Sequence, residues 1–134
     1  MHPLFEKADA WTGQVIAAAI EVHRRMGPGL LEEIYERCLM REMEIRHIPA
    51  ENQVRVPIEY KGMIFEQPLR LDLYVDSCLI VEIKAVEHVL PIHKAQLISY
   101  MKLLNVPLGL LMNFHENKLK DGVSRLILPG SGEN

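Results

Sequence analysis

Asp72 and the tripeptide Glu82-Ile83-Lys84 are the residues whose types and spacing most readily support chemistry. Leu69, Leu71, Leu73 and Val75 alternate with Arg70, Asp72 and Tyr74, and Leu79, Val81 and Ile83 alternate with Ile80, Glu82 and Lys84. Period-2 patterning of this kind predicts two half-buried strands. Glu82 and Lys84 then share one face, about 6.6 Å apart along the strand, while Asp72 lies opposite the face of Leu71 and Leu73. The turn decides whether the carboxylates meet. A two-residue turn pairs Asp72 with Val81. A three-residue connection through Asp76-Ser77-Cys78 pairs Val75 with Leu79 and sets Asp72 across from Glu82; both lengths are common in hairpins. Directly opposed side chains have Cβ atoms about 4.5–5.5 Å apart, near enough to share one divalent ion. Without a cation or a proton such carboxylates repel. A few hard oxygen ligands suit Mg²⁺ or Mn²⁺ better than Zn²⁺. The plain structural alternative is an exposed acidic pair balanced by Lys84.

Helices and strands must position this pair. Val15, Ile16, Ala19, Val22 and Met26 recur at helical spacing and predict a first helix over 8–26, ended by Gly27-Pro28-Gly29. A second is expected over 30–46, with Leu31, Ile34, Cys38 and Leu39 facing inward, stopped by His47-Ile48-Pro49. The period then changes. Val54, Val56 and Ile58 mark a strand, Tyr60-Lys61-Gly62 a turn, and residues 63–67, 69–75 and 79–84 further strands. Pro91 opens a third helix to about residue 105. The apolar run 108–114 reads as a strand buried on both faces. Residues 119–128 stay ambiguous. The order α-α-β-β-β-β-α-β makes an α/β fold with a mixed sheet flanked by helices, expected as a single domain over 1–134.

The helices bring further polar groups. Glu32 and Tyr35 share a face at i, i+3, and His93, Gln96 and Tyr100 share another at spacings of three and four. Each has a structural alternative: Glu is favoured in a first helical turn, and a Tyr at a helix edge often sends its hydroxyl to water.

Asp72, then Glu82-x-Lys84, then Gln96-x-x-x-Tyr100 resembles the PD-(D/E)XK nuclease superfamily, in its RecB-like branch. His23-x-x-x-Gly27-x-Gly29-x-x-Glu32-x-x-Tyr35 is similar to the signature of the small GxxExxY proteins of that superfamily. The resemblance runs from about His23 to Phe114, with Leu71 where the motif's proline would stand. It implies a restriction-endonuclease-like core and a Mg²⁺-dependent nuclease, Mn²⁺ substituting, that acts on DNA before RNA. Asp72, Glu82 and the Ile83 carbonyl would ligate the ion, with Glu32 reaching it directly or through water. Lys84 would handle the attacking water and the charge on the phosphate, while Gln96 and Tyr100 would position substrate or hydrogen-bond Lys84. Apart from the resemblance, Arg24, Arg25, Arg70 and Lys94 are candidates to contact phosphates, with Tyr35 and His93 as further substrate contacts; for each basic residue taken singly, ordinary solvated surface is the favoured alternative. A non-catalytic relative that binds nucleic acid or protein is the alternative.

Composition restricts the classes. The chain has 134 residues, is 49% hydrophobic and 25% charged, and carries a net charge of -3. These values exclude disorder and a strongly basic nucleic-acid coat. Affinity would therefore be modest, or raised by a homodimer or a protein partner. Cys38 and Cys78 offer neither a disulfide scaffold nor a thiolate zinc site. His115-Glu116 lacks the second histidine of a metalloprotease helix, and His88 with His93 makes a poor zinc pair. With no leader pattern and no membrane-length apolar run, a reducing cytoplasm is the expected setting and no membrane partner is foreseen.

Overall fold

Helix α1 (Phe5–Met26) buries Ala8, Thr12, Val15, Ala18, Ala19 and Val22, the three-and-four spacing of one apolar stripe. Glu6 in its first turn and His23, Arg24 and Arg25 in its last complement the helix dipole. It stops at Gly27, whose φ of 69° suits glycine. Helix α2 (Glu32–Ile45) begins with Glu32 and Glu33, again favourable at an N-terminus. There follow β1 (Ala50–Tyr60), β2 (Met63–Val75), β3 (Leu79–Lys84), α3 (Pro91–Leu104), β4 (Leu108–Asn113), a 3-10 turn (Leu119–Gly122) and β5 (Val123–Ile127). This is a computed structural model in which the described residues are 1–132, without the side chains of Gln67 and Pro68.

The sheet is five-stranded in the order β1-β2-β3-β4-β5. Only β3 and β4 pair in parallel, joined by the α3 crossover, and the other neighbours are antiparallel. One core holds α1 and α2 against Leu73, Val75, Leu79, Val81, Ile83, Leu108, Leu110 and Met112. The other packs Leu97, Tyr100 and Met101 of α3 on Val56, Leu71, Ile80 and Leu111. Every residue of β4 is buried, as its unbroken apolar run implies. Gly109 lets α3 lie close to that strand: a Cβ there would stand 2.9 Å from Met101 Sδ. The α/β architecture, a mixed sheet with helices on both faces, is the one expected.

Details differ. The strands expected at 63–67 and 69–75 form one strand, β2, whose pairing with β1 shifts register between Val56 and Ile58. The ambiguous 119–128 segment supplies the 3-10 turn and β5. On α2 the buried residues are Tyr35, Glu36, Leu39 and Met43, whereas Leu31 is 74% and Ile34 37% exposed. Leu31 precedes the helix in an extended conformation, so helical periodicity does not apply to it. Met26, at the last turn of α1, is also largely exposed.

Candidate active site

The connection between β2 and β3 fixes the register. Asp76 and Ser77 take φ of 47° and 54°, and Cys78 N–H closes the turn on the Val75 carbonyl at 3.0 Å. Trp11 Nε1 donates to Asp76 Oδ2 at 3.0 Å, Lys7 Nζ lies 3.4 Å from the same oxygen, and Asp76 N–H donates to the Pro49 carbonyl at 2.9 Å. The outcome is the three-residue connection, with Val75 opposite Leu79 and Leu73 opposite Val81.

The next pair would be Asp72 with Glu82, and there the backbone ladder ends. Side chains replace it. Asp72 N–H donates to Glu82 Oε2 at 2.9 Å, and Ile83 N–H donates to Asp72 Oδ2 at 2.8 Å. The β1–β2 ribbon parts from β3 at this point, while β3 stays paired with β4 as far as Lys84. The alternation of β2 breaks at the same place: Leu71 packs on the α3 side and Leu73 on the α1–α2 side. The two therefore do not share a face, contrary to the sequence pattern. Gln53, with a left-handed φ of 52°, lies on β1 between the paired residues Asn52 and Val54 that face Leu73 and Leu71.

Beside the split lies a cleft of about 790 Å³, lined by Glu32, Glu33, Glu36, Arg37, Asn52, Gln53, Arg70, Asp72 and Tyr100. Glu82 is 9% exposed. Burial, and next the charge of Asp72, push its carboxyl up to about 9, against the opposing pull of the Asp72 N–H and of Lys84. Burial, then Glu82 and Asp72, also raise the Tyr100 hydroxyl. Tyr100 is therefore a buried neutral phenol facing the carboxylates.

Helix α2 reaches the site through a latch. Tyr35 is fully buried and stacks on Phe114 at 4.5 Å. Its hydroxyl donates to the Gly27 carbonyl at 2.5 Å and accepts Leu30 N–H at 3.0 Å, holding the Gly27-Pro28-Gly29 turn. Helix α2 thus starts where Glu32 Oε2 can accept Ala85 N–H at 3.1 Å, one residue beyond Lys84. His23 Nε2 donates to the Glu116 carbonyl at 2.7 Å, which ties α1 to the loop after β4. The glycine, glutamate and tyrosine spacing is accordingly a positioning device, and Tyr35, expected to touch substrate, is inaccessible to it.

The other candidates divide by position. Lys84 ends β3 half-buried, its backbone held by Phe114 N–H donating to the Lys84 carbonyl at 2.8 Å. Asn113 side-chain bonds to Val86 N–H and the Val86 carbonyl hold the following loop. Gln96 is exposed on α3. His93 Nδ1 accepts Leu90 N–H at 3.0 Å and so caps α3. Arg70 lines the cleft; Lys94 lies in a separate depression with His88 and Glu116. Arg24 and Arg25 pair with Glu21 at 2.8 and 3.0 Å, outside the cleft lining. Sequence reasoning missed Glu36, buried one helical turn past Glu32, accepting from Asn52 Nδ2 at 3.3 Å and Gln53 Nε2 at 2.5 Å. Burial raises its pKa first, and the charge of Asp72 adds to this. The i, i+4 spacing of Glu32 and Glu36 was the available signal.

Among the described residues no three His, Cys, Asp or Glu side chains are grouped to hold an ion, so Glu32 does not complete a three-carboxylate set with Asp72 and Glu82. Among them also, no helix is long and apolar enough to cross a membrane.

Comparison with known proteins agrees with this geometry. No curated protein matches the chain. The solved structure described as "Crystal structure of SSO0001" is similar, with TM-score 0.51 and 18% identity, over 98% of this chain and 63% of that one. At that identity the likeness concerns the fold, and this chain spans less than two thirds of the other's length. The family model of the PD-(D/E)XK nuclease superfamily matches residues 9–126, a span that includes most of α1, all of α2, the split hairpin with Asp72, Glu82 and Lys84, and Tyr100. The chain belongs to the PD-(D/E)XK nuclease superfamily.

Proposed function

We propose that this protein is a divalent-metal-dependent nuclease that hydrolyses phosphodiester bonds, in DNA before RNA, using Mg²⁺ or in its place Mn²⁺. The observation that carries the reading is the mutual engagement of Asp72 and Glu82 where the sheet splits, each holding the other strand's N–H. Membership of a nuclease superfamily whose members generally use divalent metals supports it. Within that superfamily, the Gly27, Gly29, Glu32 and Tyr35 spacing favours the GxxExxY proteins, and the Gln96 and Tyr100 spacing the RecB-like branch.

The donor set fits a hard cation. Asp72 Oδ2 and Glu82 Oε2 each accept a backbone N–H, and the two carboxyls also engage each other through the proton that Glu82 retains, which a bound cation would displace. Two carboxylates with remaining positions left to water is an arrangement Mg²⁺ commonly takes. The N–H and C=O of an extended residue face the same strand edge, so the Ile83 carbonyl opens on the side of Asp72. Glu32, held by Ala85 N–H, would act through water. When bound, the ion supplies Lewis acidity that favours deprotonation of water and offsets charge on the phosphate.

The chain's own groups do the rest. The Lys84 ammonium orients the attacking water and meets the charge that grows on the phosphate. The neutral Tyr100 hydroxyl can donate to the carboxylates or to substrate without adding charge. Gln96, exposed on the same helix, positions substrate. With a net charge of -3, affinity comes from local cations, or from a homodimer or protein partner.

A cleavage assay across single- and double-stranded DNA and RNA tests the reading. Products are expected with Mg²⁺ and with Mn²⁺ and none with EDTA. No cleavage of any substrate with either ion would overturn it.

A further inference from the structure

The arginines of this chain fall into separate groups. Arg24 and Arg25 pair with Glu21, Arg41 with Glu44, Arg46 with Glu42 and Arg125 with Asp9. Arg37, Arg55 and Arg70 are exposed and have no carboxylate partner among the described residues. Partners stand close in sequence: Glu33 precedes Arg37 by one helical turn, and Asp72 follows Arg70 by two residues.

These free arginines lie together. Arg37 and Arg70 line the acidic cleft from opposite elements, α2 and β2. Arg55 of β1 is directly opposite Arg70 in the ribbon. Like charges at directly opposed positions destabilise a strand pair, and an anion bound between them removes that repulsion. A guanidinium also presents a planar fork of donors that matches a phosphate bidentately.

We infer that Arg37, Arg55 and Arg70 form a rim that grips the phosphate backbone of a nucleic-acid strand laid across the cleft. Carboxylates line the cleft itself, so a polyanion entering without these cations meets net repulsion from Glu32, Glu33, Glu36 and Asp72. The rim reads backbone charge rather than bases, which makes the contact independent of sequence. It also explains how a chain of net charge -3 holds such a substrate: the cations that matter are local. The inference rests on the nuclease reading, and it adds the residues that bind the strand.

The test is fluorescence anisotropy of a labelled DNA single strand and its duplex, in Ca²⁺ and over a range of KCl concentrations. Wild type is compared with the triple variant Arg37→Ala, Arg55→Ala, Arg70→Ala and with the control Arg41→Ala, Arg46→Ala, whose arginines pair with Glu44 and Glu42. The triple variant should bind at least tenfold more weakly, and its slope of log K against log salt should be shallower by about 2–3. The control should match wild type, and the melting temperature of the triple variant should not fall, because no ion pair is lost. An unchanged slope in the triple variant, or an equal loss in the control, overturns the rim. Tighter binding of a polyglutamate peptide than of DNA also overturns it, in favour of an acidic protein partner. The nuclease reading is judged separately. Cleavage by wild type with an unchanged KM in the triple variant refutes the rim alone. DNA binding that depends on these arginines, without cleavage under any ion, refutes the nuclease alone.

Discussion

Lys84→Met should lower the rate of DNA cleavage by two or more orders of magnitude while leaving the protein folded and able to bind Mn²⁺. Lys84 closes β3 two residues beyond Glu82, on the same strand face, and has no ion-pair partner among the described residues. Methionine keeps the unbranched chain and removes the charge. Loss of one group that stabilises transition-state charge costs about 10²–10³ in turnover. In the proposed site, ligation would use the oxygens of Asp72 and Glu82 and would gain nothing from a nearby cation, so Mn²⁺ affinity should hold or tighten slightly. A structural salt bridge would behave in the opposite way, since removing its cation leaves carboxylates repelling and stability falls. Cleavage rate, Mn²⁺ affinity and melting temperature are to be measured on the same Lys84→Met protein. Full activity with lowered stability would contradict the assignment.

The second large effect concerns pH. Burial and the adjacent Asp72 raise the Glu82 carboxyl from 4.5 to about 9 in the folded chain. The folded state therefore holds a proton that the unfolded chain releases. The stability this provides is fully present below about pH 4.5 and is lost as pH rises towards 9. In that window the metal-free protein should lose stability as pH rises, on the order of 1 kcal/mol per pH unit or roughly 3–6 °C in Tm. Glu82→Gln should remove this decline and raise Tm at pH 8, because a Gln side-chain oxygen can still accept Asp72 N–H without carrying charge. Glu36, also raised by burial, contributes a slope of the same sign. It stays present in both proteins, so the difference between them isolates Glu82. Saturating Mn²⁺ should flatten the wild-type profile as well, since binding to the folded state adds stability by mass action. Equal slopes in wild type and Glu82→Gln would show that Glu82 is not the group being charged.

Much of this site was legible in the sequence because hairpin register follows from loop length. Asp76-Ser77-Cys78 sets Val75 opposite Leu79, and Asp72 and Glu82 then meet by counting. What counting could not supply was the break at Asp72. Leu71 and Leu73 look like one face, yet the sheet splits between them and sends them to different cores. The left-handed Gln53 accompanying that break carries no local signal, since glutamine is an ordinary strand-edge residue. The orientation of α2 was misread for a different reason. Leu31 and Ile34 are apolar and exposed, while Tyr35 and Glu36 carry polar tips and are buried. Tyr35 is inside because its hydroxyl finds backbone partners in the glycine turn, and Glu36 because two amide side chains from β1 donate to it. Hydrophobicity alone ranks such residues wrongly, since a buried polar group is stable when its hydrogen bonds are met. Arg37 and Arg55 were invisible for a similar reason: a free arginine differs from a paired one only through tertiary neighbours.

The proposed site depends on Asp72 and Glu82 sharing one divalent ion. Anomalous diffraction from a crystal soaked in Mn²⁺, collected for wild type and for Asp72→Asn, measures this most directly. A single peak between the Asp72 and Glu82 carboxylates, absent from Asp72→Asn, is the predicted result. A saturating soak that leaves no peak there, or an equal peak in Asp72→Asn, would contradict it.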